Sequence, residues 1–153
     1  MPSSAIAKIK SAPRSIIALL FLAVLGGGII FAHHSVAQTT MRVGGSTYTL
    51  AVADTLALRT KGLGGRSSMA PRAGMLFSYS NQDIRCFWMR DMHFSLDMIW
   101  LNSEHQVIHL AQNVSPSSYP QTFCANRPAQ YVIELQSGQV AQARIHVGQI
   151  LNF

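Results

Sequence analysis

Charge is scarce in this chain: Asp, Glu, Lys and Arg together make up 12% of its 153 residues, about half the usual share. Disordered chains combine high charge with few apolar residues, so 48% apolar residues exclude that class. Cysteine is scarcer still, with two in all and no CxxC between them, which argues against a dithiol redox motif or a cysteine-rich zinc site. There is no Gly-x-Ser-x-Gly elbow for a serine nucleophile, and the glycine-rich stretch Gly62 to Arg66 lacks the preceding strand and the spacing of a phosphate loop. The length leaves room for one ordinary domain and a tail, not two domains.

The tail comes first. Lys8, Lys10 and Arg14 precede an uncharged run from Ser15 to Ala32, the order of a secretory signal or N-terminal membrane anchor. As a helix, that run would reach roughly 27 Å at about 1.5 Å per residue, nearly the thickness of a hydrocarbon core. Gly26 to Gly28 weaken it, and Ser35-Val36-Ala37 offers small residues for cleavage before Gln38. Residues 1–37 are therefore expected to be a signal peptide or an anchor, touching the membrane if uncleaved. Either way residues 38–153 lie outside the cytoplasm, periplasmic or secreted, or anchored to the inner membrane with the domain outside. In that oxidising setting Cys86 and Cys124 are expected to pair as a disulfide.

Without the tail, nine basic residues stand against six acids. They are scattered apart from Arg59, Lys61, Arg66 and Arg72, and nucleic acid is not an expected partner.

Along residues 38–153, Met41 to Ala53 reads as strand, Gly-Gly turn, strand. Asp54-Thr55 caps a short basic helix that the glycines at 62, 64 and 65 stop, with Leu56, Ala57 and Leu63 docking it. MLFSY reads as a strand, NQD as a turn, and IRCFWM as a dense apolar strand opening the central sheet. FSLDMIWL is apolar on both faces and so largely buried, and QVIHLAQNV returns in hairpin relation to it. A Ser/Pro-rich loop covers 115–130, YVIELQ is a strand, QVAQARI a short helix, and a last strand is expected around Gly148. The expected fold is mainly β, a single-domain antiparallel sandwich or small barrel of about seven strands with two short helices.

The order LRTKGLGGR, GMLFSY, FWMRDMHFSLDMIWL, AQNVSP, PAQYVIELQSG and GQIL resembles the DUF192 family over about residues 48–151. The resemblance implies a compact, mostly β domain, often exported, with no agreed biochemical function. Exported members carry similarly placed cysteines, which adds to the pairing of Cys86 with Cys124. The chain departs from the family pattern at Arg90-Asp91-Met92, where Lys-Asn-Thr is usual, and at Gly64, where Met is usual.

Several constellations can carry chemistry. Arg59 and Arg66 flank a glycine-rich helix end and could fork onto a carboxylate or phosphate, or pair within the fold with Asp97 or Glu134. Asp97 and Glu134 are acids in strongly apolar strands; were they to meet, one pKa would rise as in an acid/base pair. Asp91, His93 and Asp97 share a strand parity that permits a metal without requiring one, so no metal and no cofactor are expected. The cluster Met75, Phe77, Phe87, Trp88, Met89, Met92, Phe94, Met98 and Trp100 is core or the wall of a pocket. In the strand 86–90, Trp88 and Arg90 fall on the face opposite Phe87 and Met89. The leading expectation is a non-catalytic module binding a small ligand or envelope component between the basic helix and the Trp88 strand. Its candidate contacts are Arg59, Arg66, Trp88, Arg90 and Asp97. The alternatives are a hydrolase using Asp97 or Glu134, and a structural or partner-binding envelope protein.

Overall fold

The computed structural model describes residues 36–153; the apolar run Ser15 to Ala32 lies outside them. Among the described residues no helix is long and apolar enough to cross a membrane.

Strands β1 (Gln38–Val43) and β2 (Ser46–Ala53) form the opening hairpin, turning at Gly44 and Gly45, both at positive φ. Tyr48 and Leu50 face one side of the sheet, and Ala51 and Ala53 the other, as the alternation predicts. Helix α1 (Leu56–Lys61) starts where the Thr55 hydroxyl accepts from the Leu58 amide, and stops at Gly62. Leu58 and Leu63 dock it, whereas Leu56, expected to do so, is 75% exposed.

The chain continues through β3 (Ala73–Asp83), β4 (Cys86–Trp88), β5 (Leu96–Leu101), β6 (Val107–Val114), β7 (Thr122–Cys124), β8 (Ala129–Gln136) and the single-turn helix α2 (Gln139–Gln142). A six-stranded sheet has the order β1-β2-β3-β8-β5-β6, and β4 pairs with β7 in a separate ribbon. The fold is mostly β and sandwich-like, with two short α-helices. The expectation is corrected in five places, the first being that Asn81 to Asp83, expected as a turn, continue β3. The sheet does not close into a barrel. It is mixed rather than antiparallel, because α1 carries the chain across so that β2 and β3 run parallel. The Cys86 strand leaves the central sheet for the ribbon, and its partner β7 lies within the loop expected over 115–130. The last strand reduces to two isolated bridges, Gln106 to Ile150 and Arg42 to Asn152.

Both sheet faces are buried, so β5 is apolar in every position but one. One face carries Met41, Tyr48, Leu50, Ile99, Ile133 and Leu135 under α2. The other carries Met75, Phe77, Met98, Trp100 and Val132 beneath the ribbon. Phe87 fastens the ribbon to that second face, meeting the Phe77 ring edge-on at 4.8 Å and the Trp100 ring at 6.1 Å. The Trp100 indole donates to the Arg85 carbonyl at 2.8 Å, tying the approach to β4 onto β5. Cys86 and Cys124 face each other in the ribbon register and are disulfide-bonded.

Candidate functional site

Where α1 and its glycine loop stand beside the ribbon they leave a cleft of about 720 Å³, within the usual range for small-molecule sites. It lies between the basic helix and the Trp88 strand. The loop is tied to the segment after β4 by its backbone: Gly65 sits at φ 76° and its amide donates to the Asp91 carbonyl at 2.8 Å. At Gly64 a Cβ would come within 3.2 Å of the Lys61 carbonyl oxygen and 3.5 Å of that of Arg90. A larger side chain at this position would press on the Lys61 carbonyl and sit in ordinary contact with that of Arg90.

From α1 the cleft takes Arg59 and Lys61, and from the far side Phe87, Trp88, Arg90 and Asp91. Arg59 is half-buried and fixed: its Nη1 donates to the carbonyls of Asp54 at 2.6 Å and Ser78 at 2.9 Å. Arg90 lies over the half-exposed Trp88 ring, 4.9 Å from its centre. Arg90 Nε is 3.9 Å from the Asp91 carboxylate, and with both side chains exposed this pair adds little stability.

The floor comes from the sheet. Phe77, Tyr79 and Glu134 reach the cleft from β3 and β8. The register places Glu134 in a row between Met75 and Met98, beside the row Phe77, Val132 and Trp100. Glu134 is 5% exposed and, among the described residues, has no hydrogen bond or ion pair. Burial in this apolar row pushes its carboxyl up to about 8, so it is neutral at pH 7. Tyr79 lies under two guanidinium groups, Arg59 at 4.8 Å and Arg85 at 3.9 Å from the ring centre. Burial raises the Tyr79 hydroxyl pKa, while the two arginines oppose the rise. With Glu134 neutral, Arg59, Lys61 and Arg90 face only Asp91, and the cleft is cationic.

Two expected contacts are not in this cleft. The chain turns at Gly65, leaving Arg66 exposed and off the lining. Asp97 is fully buried on the opposite face of the sheet, where its carboxylate accepts from the Asn113 amide at 2.8 Å and the Val140 amide at 2.9 Å. It clamps the end of β6 and the start of α2. Neither arginine pairs with Asp97 or Glu134. Asp91, His93 and Asp97 do not form a cluster, since among the described residues no three His, Cys, Asp or Glu are grouped to hold a metal. Of the aromatic and Met cluster, Met75, Met89, Met98 and Trp100 are buried core, while Phe77, Phe87, Trp88 and Met92 line the cleft. Tyr79 and Lys61 were not anticipated as cleft residues; the alternation Met75, Phe77, Tyr79 along β3 is the signal for the tyrosine.

Residues 38–153 match the DUF192 family, described as uncharacterized ACR. A crystal structure of a protein from Sinorhizobium meliloti 1021, provisionally described as a transcription regulator, superposes with a TM-score of 0.72 at 29% identity, covering 77% of this chain and 95% of that one. A protein of unknown function from Novosphingobium aromaticivorans DSM 12444 superposes with a TM-score of 0.68 at 26% identity, covering 76% of this chain and 84% of the other. No curated protein matches the chain.

Proposed function

The chain is a member of the DUF192 family, and we propose that in this member the domain is an exported, non-catalytic module that binds a small ligand or envelope component between α1 and the β4–β7 ribbon. The observation that carries this reading is the cleft itself: an aromatic wall, three cations and a neutral floor in about 720 Å³. Export is supported by the basic-then-apolar order of the N-terminal tail and by the Cys86–Cys124 disulfide, which suits an oxidising compartment. The domain acts outside the cytoplasm, tethered by residues 1–37 or released from them.

A hydrolase with paired carboxylates is disfavoured, because Asp97 is turned away from the cleft and held by two backbone amides. Gene regulation, suggested by the description of the Sinorhizobium protein, is disfavoured by the scattered basic residues.

A thermal-shift screen of the protein against metals, sugars, carboxylates and envelope fragments tests the reading. A saturable rise from one class that disappears in Trp88→Ala and Arg90→Ala is the expected result. No rise from any class would turn the reading toward a structural or partner-binding role.

A further inference from the structure

We propose that Glu134 is the specificity-determining residue of the cleft, donating its carboxylic acid proton to the carboxylate of a ring-bearing ligand whose ring lies against Phe87. This inference rests on the cleft being a binding site and names the ligand class.

Glu134 is buried to 5% exposure, without a hydrogen-bond partner among the described residues, yet it lines an open cleft. Its carboxyl oxygens are not among the fully buried, unpartnered polar atoms, so they are reached from the cleft, and a partner for them arrives from that side. The flanking strands supply only Met75 and Phe77 from β3 and Met98 and Trp100 from β5 near its row. The charged and titratable groups around it are Tyr79 on β3, Arg85 at the approach to the ribbon, Arg59 and Lys61 on α1, and Arg90 and Asp91 after β4; His109 of β6 lies beyond Trp100. Among the described residues no cation is within ion-pair distance of the Glu134 carboxyl, so the cleft cations are left to a ligand. Burial then keeps it an acid to about pH 8.

An acid presents one strong donor, and its best acceptor is an anionic oxygen, because O–H···O⁻ bonds are charge-assisted. The cleft favours such an anion, with Arg59, Lys61 and Arg90 against Asp91. A ligand amine would be repelled by the same three groups. Once Glu134 ionises, its own charge repels the ligand, so binding above that point requires uptake of a proton. The ring preference follows from Phe87, which lines the cleft on the side of the ribbon that faces the sheet and Glu134.

Three probes sharing one ring separate these contributions: benzoate, benzamide and benzylamine, titrated calorimetrically into the full chain in mild detergent. Benzoate is expected to bind about tenfold more tightly than benzamide, and benzylamine not at all. The benzoate dissociation constant is expected to be flat between about pH 5.5 and 7, where the ligand is ionised and Glu134 is not, and to rise about tenfold per pH unit above about 8. Glu134→Gln keeps a neutral donor and should bind benzoate without that pH dependence, whereas Glu134→Leu, an apolar side chain in an apolar row, should stay folded and lose binding. Saturable benzoate binding that ignores both Glu134 variants and pH would overturn the role of Glu134 and leave the cleft as a binding site. No saturable binding by any of the three probes would overturn both.

Discussion

The carboxyl groups of Asp97 and Glu134, on neighbouring strands and one register step apart, leave the sheet on opposite faces. Asp97 stands opposite Leu135 and Glu134 opposite Met98, and each residue alternates with its neighbours across the pleat. Asp97 therefore sits under α2 with two backbone donors, and Glu134 lines the cleft with none among the described residues. The same carboxyl group is held by two backbone amides in one case and opens onto the cleft in the other.

Loss of the Asp97 carboxylate should therefore destabilise the domain without touching the cleft. Asp97→Ala leaves the Asn113 and Val140 amides without their acceptor, and hydrogen bonds to charged groups contribute about 1.5–3 kcal/mol each. A loss of about 3 kcal/mol in urea unfolding is expected, with unchanged ligand affinity in the fraction that remains folded. Equal stability of variant and wild type would contradict the clamp.

Glu134 should make the stability of the domain fall with rising pH. Its folded pKa is raised from 4.5 to about 8. Below the lower value both folded and unfolded chains hold the proton and the group adds no slope. Between the two values only the unfolded chain releases it, so stability declines by about 1.4 kcal/mol per pH unit. Above about 8 both states are ionised and the decline ends. Glu134→Gln removes this slope and should be the more stable protein at neutral and mildly alkaline pH, by a few kcal/mol in urea midpoints followed across the window. Parallel wild-type and variant curves would contradict the burial of an unpaired carboxyl.

Much of this was legible in residue alternation. The hairpin around Gly44 and Gly45, the Thr55 cap and the two-faced apolar pattern of β5 follow from local chemistry. The parity of Asp97 within its own strand was also readable. Its relation to Glu134 was not, because that depends on the register between two strands far apart in sequence. The ribbon was hidden for a similar reason: three residues, Thr122 to Cys124, carry too little pattern to stand out from a Ser/Pro-rich loop. Once β4 pairs there, its apolar residues cover the sheet instead of joining it, and that displacement makes the cleft. Arg66 was grouped with Arg59 by proximity in sequence, but the turn at Gly65 separates them.

Trp88 and Arg90 should matter to binding far more than to folding. Trp88 is 47% exposed and packs mainly against Arg90 and Tyr119, whose ring centre is 6.2 Å away. Trp88→Ala is expected to cost about 1 kcal/mol of stability while removing ligand binding. Arg66→Ala, outside the cleft, is expected to change neither. A binding defect in Arg66→Ala equal to that of Arg90→Ala would place the anion site on the wrong side of the glycine loop.

The disulfide should protect the cleft wall as well as the fold. The β4–β7 ribbon has three residues in each strand and no ladder to the six-stranded sheet, so it is joined across by its own few hydrogen bonds, by Phe87 beneath and by Cys86–Cys124. Thiol labelling of undenatured, unreduced protein should find no free cysteine. On the chain-entropy account, bridging a separation of 38 residues contributes about 4 kcal/mol, and Cys86→Ser with Cys124→Ser should lose stability of that order. Hydrogen exchange locates the loss. Amides of residues 86–88 and 122–124 should lose protection first, at denaturant concentrations that leave β5 and β8 protected, and ligand affinity should fall with them. Uniform loss of protection across the six-stranded sheet would instead make the bridge a general staple with no particular hold on the wall that Phe87 and Trp88 supply.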